Sequence, residues 1–269
     1  MHRPGLPHSA ALTTASVPDG SVPDVGYREL PPPAPMRDLI ETAWVVDGPG
    51  DAVRVLPDGC MDLIWMDGRV VVAGPDTTAS LSPRGAEPFV GLRFRPGMLP
   101  RLLGVPAAEL RDQRVPLDQL CRVRPRRGLT ELATELAAAR ARPETTPWSL
   151  PTLDHVTTRL AAGASVADVA REIGWSSRTL QRQCGAVYGY GPAMLRRILR
   201  FRRAVGMAQA GRPFAAVAND AGYADQPHLH REVRELSGVS LRSLRERSGQ
   251  DGSGANRSTD VPSGSSTVA

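Results

Sequence analysis

Arg178, Gln181 and Arg182, and later His228, His230, Arg231 and Arg234, are the side chains of this chain whose types and spacing could do chemistry. At about 100° of helical turn per residue, Leu180, Cys184 and Val187 fall on one stripe, and Arg178 and Arg182 point together to the opposite side. Gln181 sits on the flank. Arg and Gln carry bidentate donors and acceptors that fit the guanine and adenine edges of a major groove. The later cluster repeats the arrangement. Leu229, Val233 and Leu236 form a stripe, Pro227, Arg231 and Arg234 face away from it, and His228 and His230 lie on its two flanks. A metal role for the histidines needs a third ligand, and none stands nearby in the sequence. The chemistry implied is the reading of a nucleic acid, with no catalytic residue, no metal ligand and no cofactor.

The elements that must hold these clusters form a repeat. VADVAREIGWSSRTLQRQC at 166–184 recurs as FAAVANDAGYADQPHLHREV at 214–233. Val169, Ala170, Gly174 and Trp175 return 48 positions later as Val217, Ala218, Gly222 and Tyr223, while Leu180, Arg182 and Gly189 return 49 positions later as Leu229, Arg231 and Gly238. The one-residue slip falls where a turn joins two helices, so the pattern is a duplicated helix-turn-helix. Ser165 with Asp168 predicts a capped start, Gly174 a left-handed stop, and the next helix begins near Ser176 or Ser177. In the second unit Pro213 suits a first helical turn, Gly222 a stop and Asp225 an N-cap. Between the units, Met194 to Ala210 reads as one helix of about 25 Å. Such a rod could hold two recognition helices about one DNA turn, roughly 34 Å, apart. Arg196, Arg197, Arg200, Arg202 and Arg203 stud it, a charge run more typical of a solvated face than of phosphate contacts.

Carrying SRTLQR at 177–182, GYGP at 189–192, GYADQPHLHRE at 222–232 and SGVS at 237–240, residues 150–247 resemble the AraC/XylS family of bacterial transcription regulators. The resemblance implies seven helices in two subdomains, each inserting one helix into successive major grooves of double-stranded DNA. It places base reading on Arg178, Gln181 and Arg182 in the first unit, and on Gln226, His228, His230 and Arg231 in the second. Ser177, Thr179, Arg196, Arg197 and Arg234 are expected on phosphates. The aromatics that the family buries late in each recognition helix are Cys184 and Val233 here, Leu229 replaces another Phe, and Leu241 stands where Pro is common. These changes shrink the core without altering the fold.

Charge is distributed as this reading requires. Every basic residue is Arg, which GC-rich coding would also produce, so the count alone carries little. Residues 151–250 hold 15 Arg against 8 carboxylates, whereas residues 1–150 hold 17 against 18, so the positive field lies where the repeat lies. A chain of 269 residues is long enough for two cored domains. The expected organisation is a disordered tail at 1–25, a β-rich sensing or dimerisation domain at 26–141, a Pro-rich extended linker at 142–151, the double helix-turn-helix at 152–248 and a second disordered tail at 249–269. The fold class is multidomain α+β, a small barrel-like or sandwich-like β domain with trailing helices followed by an all-α domain.

Within the first domain, Met61–Met66 and Arg69–Ala73 flank Asp67-Gly68, a tight hairpin signal. Residues 42–46, 52–56 and 89–94 supply further strands, and 97–141 reads as helical. Leu129, Leu132 and Leu136 form a stripe that packs on its own domain in preference to a dimer contact. A small effector at this domain, RNA polymerase and a second copy of the chain are the partners expected beside DNA. No membrane partner is expected, and the absence of a long apolar run points to the cytoplasm. The rival from another class is an enzyme or cysteine-based sensor domain fused to the same DNA reader. Residues 9–154 contain no histidine, which removes the usual imidazole ligands of a barrel metal. Cys60 stands alone in LPDGCMD, and Asp58 and Asp62 beside it read as a turn feeding a strand before they read as an acid/base pair. A binder without sequence choice would need only cations, so outward Gln beside Arg argues against it.

Overall fold

The structure is a computed structural model that describes residues 26–47, 49–85, 87–122, 128–139 and 142–250, with side chains through Glu246. The two expected tails therefore lie outside the described residues, apart from the last helix running on through Gln250. Eight strands come first: β1 Tyr27–Leu30, β2 Ile40–Val46, β3 Val53–Val55, β4 Met61–Met66, β5 Arg69–Ala73, β6 Ser80–Ser82, β7 Phe89–Phe94 and, after helix α1 Met98–Leu103, β8 Arg114–Pro116. Six of them make an antiparallel sheet in the order β1-β2-β7-β4-β5-β8, and β3 pairs with β6 as a separate two-stranded ribbon. The Asp67-Gly68 hairpin forms as its chemistry demands, both residues taking positive φ of 49° and 73°.

Strand alternation gives the six-stranded sheet two different faces. Met61, Leu63, Val70, Val72, Leu92 and Phe94 point into a core shared with α1 and with α2 Leu129–Ala138. The stripe Leu129, Leu132 and Leu136 is buried in that core. On the opposite face Trp44, Val46 and Phe89 form a smaller cluster with Tyr27, Val53, Ile64 and Met66, underneath the β3–β6 ribbon. A bulge between Ile40 and Thr42 switches β2 from one face to the other, so Ile40 sits in the main core while Thr42, Trp44 and Val46 look the other way.

Three sequence expectations need correction here. The stretch 97–141 is not simply helical, because Arg114–Pro116 returns to the sheet as an edge strand beside β5. Strands β1 and β6 were not anticipated; both are short, and their identity comes from their partners rather than from their own periodicity. The Pro-rich stretch at 142–151 is not a plain extended tether: Pro143–Thr145 makes a 3-10 turn, and Thr145 and Trp148 are buried.

Seven helices follow: α3 Leu150–Ala161, α4 Val166–Glu172, α5 Ser177–Tyr188, α6 Pro192–Gln209, α7 Phe214–Ala221, α8 Gln226–Ser237 and α9 Leu241–Gln250. Ser165, Ser176 and Asp225 cap α4, α5 and α8, each accepting from the backbone N–H three residues on. Pro213 occupies the N-cap of α7 rather than its first turn. Helix α6 begins two residues earlier than its apolar pattern suggested, because Pro192 takes the first helical position. Leu153, Val156, Leu160, Val169, Leu180, Cys184 and Val187 join the core of the β region without a break. Phe201, Val205, Val217, Leu229, Val233 and Leu241 make a second core, and α6 contributes to both. The small residues Cys184, Val233 and Leu229 are each fully buried, so both cores close around them.

Candidate functional site

Helices α5 and α8 are the second helices of the two units, and each presents a polar face to solvent. Arg178, Gln181 and Arg182 are exposed on α5; Gln226, Arg231 and Arg234 are exposed on α8. Arg178, Arg182, Arg231 and Arg234 form no ion pair among the described residues. Ser177 is exposed and Thr179 half-buried, its hydroxyl 2.9 Å from that of Ser176 at the cap. The Gln181 amide is turned back over Gly191, where a Cβ would collide with it. His228 and His230 are half-buried. His228 stands edge-on to Tyr223 with Nδ1 3.4 Å from the Ala224 amide, and His230 pairs with Gln226 at 3.1 Å and stands edge-on to Phe214. Local contacts thus position both rings at the rim of the face.

The arginines of α6 behave differently. Arg197 reaches Glu232 at 3.1 Å and also pairs with Glu235, while Arg200 reaches Glu232 at 2.6 Å and lies 4.4 Å over the Tyr223 ring. Arg203 donates to the carbonyls of Ala161 and Ala221, closing the ends of α3 and α7, one in each unit. Arg202 pairs with Glu41 of β2 and lies 3.7 Å from the Cys60 Sγ. Four of the five guanidiniums on this helix therefore serve the fold. Arg197, expected on a phosphate, is engaged within the chain; Arg196 forms no ion pair among the described residues. Glu232 went unnoticed in the sequence, although its position three residues after Leu229 put a carboxylate on a buried stripe, which requires a partner.

Helices α5 and α8 are both anchored at their C-terminal ends by the β region. Arg111 donates to the Gly189 carbonyl at the cap of α5, 3.2 Å away, and Arg54 of β3 donates to the Ser237 carbonyl at the end of α8, 3.0 Å away. The Ala79 amide also donates to the Leu236 carbonyl at 2.7 Å. Gly189 and Gly238 are equivalent positions of the repeat, so the same end of each helix is held. Cations suit helix C-termini, where carbonyls lack intrahelical donors. Arg178, Gln181 and Arg182 on α5 and Gln226 and Arg231 on α8 lie in the N-terminal halves of these helices and are exposed.

A cavity of about 390 Å³ lies between the second face of the six-stranded sheet and the β3–β6 ribbon. Its walls include Trp44, Val46, Val53, Ile64, Met66 and Phe89 at one end and Asp58, Asp62, Asp76, Arg93 and Arg114 at the other. Arg93 lies 3.2 Å from Asp58, 3.5 Å from Asp62 and 3.6 Å from Glu29. The Trp44 indole donates to Asp62 at 2.9 Å, and the Cys60 amide donates to the Asp58 carboxylate at 2.8 Å, an Asx turn. Asp58 and Asp62 thus converge on a guanidinium, which is not an acid/base pair around Cys60. Burial pushes the Asp62 carboxyl up to about 6, and burial also pushes the Cys60 thiol up, with Asp58 and Glu41 adding to it. A buried thiol raised in this way is a poor nucleophile. Among the described residues no group of three or more His, Cys, Asp or Glu is placed to hold a metal, and no helix is long and apolar enough to cross a membrane.

Residues 169–247 match a helix-turn-helix domain, and residues 28–116 match a domain of unknown function (DUF6597). Among solved structures the chain is similar to an AraC-type DNA-binding-domain transcriptional regulator from Chromobacterium violaceum, at 24% identity over 37% of this chain and 94% of that one, TM-score 0.35. It is similar to the C-terminal domain of AraT, a response regulator from Geobacillus stearothermophilus, at 17% identity over 42% and 91%, TM-score 0.33. It is also similar to ToxT from Vibrio cholerae O395, at 10% identity over 75% and 95%, TM-score 0.42. No curated protein matches the chain.

Proposed function

We propose that the chain is a DNA-binding transcriptional regulator of the AraC/XylS kind that reads sequence with α5 and α8 in successive major grooves under control of a small effector held by the β region. One observation carries the reading. The guanidiniums of α6 are mostly consumed by intramolecular partners, whereas Arg178, Arg182, Arg231 and Arg234 stand exposed on the two equivalent faces of the repeat and form no ion pair among the described residues. Keeping four like charges without partners costs stability unless a polyanion uses them. Gln181 and Gln226 beside them supply the amides that a base edge requires, with His228 and His230 at the rim and Ser177, Thr179 and Arg196 near enough in sequence to meet phosphates.

Effector control is supported by the position of the β3–β6 ribbon. Val53 and Val55 wall the cavity, while Arg54 between them and Ala79 before β6 hold the end of α8. Leu56 borders the cavity and packs against the second core. Anything that shifts the ribbon shifts the anchor of one recognition helix. The test is selection of bound sequences from a random duplex library with the full chain, followed by affinity against salt for the winner and for scrambled DNA. Two consensus blocks about one helical turn apart, with a large affinity gap at equal salt slope, are expected. Equal affinities for the two DNAs would sink the reading.

A further inference from the structure

We propose that Glu232 and Arg200 form a positioning relay that fixes the His228 ring through Tyr223, so that base preference at the His228 contact is set from the buried side of α8. This inference rests on the reading of α8 as a helix that enters a major groove. Glu232 lies on the inner face of α8 and is 5% exposed. A carboxylate is costly to bury, and an apolar residue of similar volume would serve packing as well or better. The fold supplies guanidiniums to hold it. Arg200 of α6 donates through Nε to one Glu232 oxygen at 3.2 Å and through a terminal nitrogen to the other at 2.6 Å. Such a fork fixes the plane of the guanidinium as well as its position, which an ammonium could not do.

That plane lies over the turn between α7 and α8. The guanidinium carbon stands 4.4 Å from the centroid of the Tyr223 ring, and the other terminal nitrogen reaches the Gly222 carbonyl at 3.5 Å. A guanidinium over an aromatic face is held there by the ring quadrupole. Tyr223 is itself buried, and His228 stands edge-on to its ring, the centroids 5.2 Å apart and the planes at 83°. The half-buried His228 is also tethered to the turn, its Nδ1 accepting from the Ala224 amide. A buried carboxylate, a guanidinium, a phenol ring and an imidazole thus follow one another from the interior to the rim of the polar face. At the equivalent positions of the first unit the residues differ. By the 49-residue offset Glu232 corresponds to Gln183 and His228 to Thr179, and Trp175, the counterpart of Tyr223, packs against Trp148 with centroids 5.6 Å apart. Breaking the relay therefore disturbs the half of the site that α8 reads and spares the half that α5 reads.

The experiment selects bound sequences from a random duplex library with the full chain, wild type and variants, once thermal unfolding has shown that each variant folds. Arg200→Lys is the decisive variant, because Lys keeps a cation for Glu232 and loses the planar fork; Glu232→Gln removes the charge and keeps the shape. Each is expected to lower base preference within a single consensus block by about fivefold or more and to leave the other block unchanged. His228→Ala is expected to erase preference at the same positions, and Arg200→Lys made in the His228→Ala chain is expected to take nothing further from it. Equal loss of affinity for selected and scrambled duplexes, loss spread over both blocks, a preference unmoved by Arg200→Lys, or an additive effect of Arg200→Lys in the His228→Ala chain each overturn the relay and leave two-block reading in place. A wild-type chain that selects no consensus removes the reading of α8 on which the relay rests, and the relay with it.

Discussion

Two arginines of identical type have different fates here because of what faces them. Arg182 and Arg231 are exposed and form no ion pair among the described residues, so Arg182→Ala or Arg231→Ala is expected to weaken specific DNA binding by about 1 to 3 kcal/mol with little change in stability. Equal losses on specific and scrambled duplexes would refute base reading. Arg203→Ala does the reverse: it removes donors to two helix-end carbonyls and lowers unfolding free energy by roughly 1 to 3 kcal/mol, measured by urea denaturation. Asp62 gives the pH signature at this scale. It is faced by Arg93 from β7, Trp44 from β2, Arg114 from β8, Tyr27 and Glu29 from β1, and Asp58 and Cys60 from its own approach. Burial holds its carboxyl at about 6 when folded, against about 3.9 unfolded. The folded state therefore binds the extra proton between those values, and stability falls as pH rises from about 4 to about 6. Asp62→Asn removes this loss. Its unfolding free energy, measured by urea denaturation, is expected to exceed that of the wild type at pH 8 by about 3 kcal/mol and to match it at pH 4. A gain that persists at pH 4 would contradict the assignment.

Helix ends are where local chemistry and packing meet. Gly174, Gly189, Gly222 and Gly238 all take positive φ at the ends of helices, a conformation that costs other residues about 1 to 2 kcal/mol. Gly174 has open space around it, so Gly174→Ala is expected to cost only that conformational term. At Gly189 a Cβ would also strike Pro75 and crowd the Ala107 carbonyl, so Gly189→Ala is expected to cost roughly 1 to 3 kcal/mol more. Urea denaturation of the pair measures the difference, and equal costs would mean that the contact between the β region and α5 contributes nothing. The Ser and Asp caps, both glycine stops and the Asp67-Gly68 hairpin were legible in the sequence because each depends on a few consecutive residues. The edge strands β1, β6 and β8 were not, since three or four residues carry no period and become strands only by pairing with β2, β3 and β5.

Across the whole molecule, the β region grips the equivalent ends of α5 and α8 through Arg111 and Arg54. If α5 and α8 read DNA as proposed, such a grip would fix the distance between their polar faces. Arg54→Ala and Arg111→Ala are each expected to broaden the distribution of spacings between the two consensus blocks recovered from a random duplex library; an unchanged single spacing would show that α6 alone fixes the distance. The sequence by itself determined the repeat, the polar faces of α5 and α8, the concentration of positive charge in residues 151–250 and the strands flanking tight turns. These are encoded at separations of a few residues, where helical and strand periods decide which side chains share a face. Tertiary structure alone decided which arginines form no ion pair among the described residues, that one core runs from the sheet into the first unit, and that a cavity lined by both carboxylates and guanidiniums stands against the ribbon holding α8. Each of these rests on contacts between residues 30 to more than 150 positions apart, such as Arg93 with Asp58, Arg202 with Glu41 and Arg54 with Ser237, and no local pattern specifies those partners.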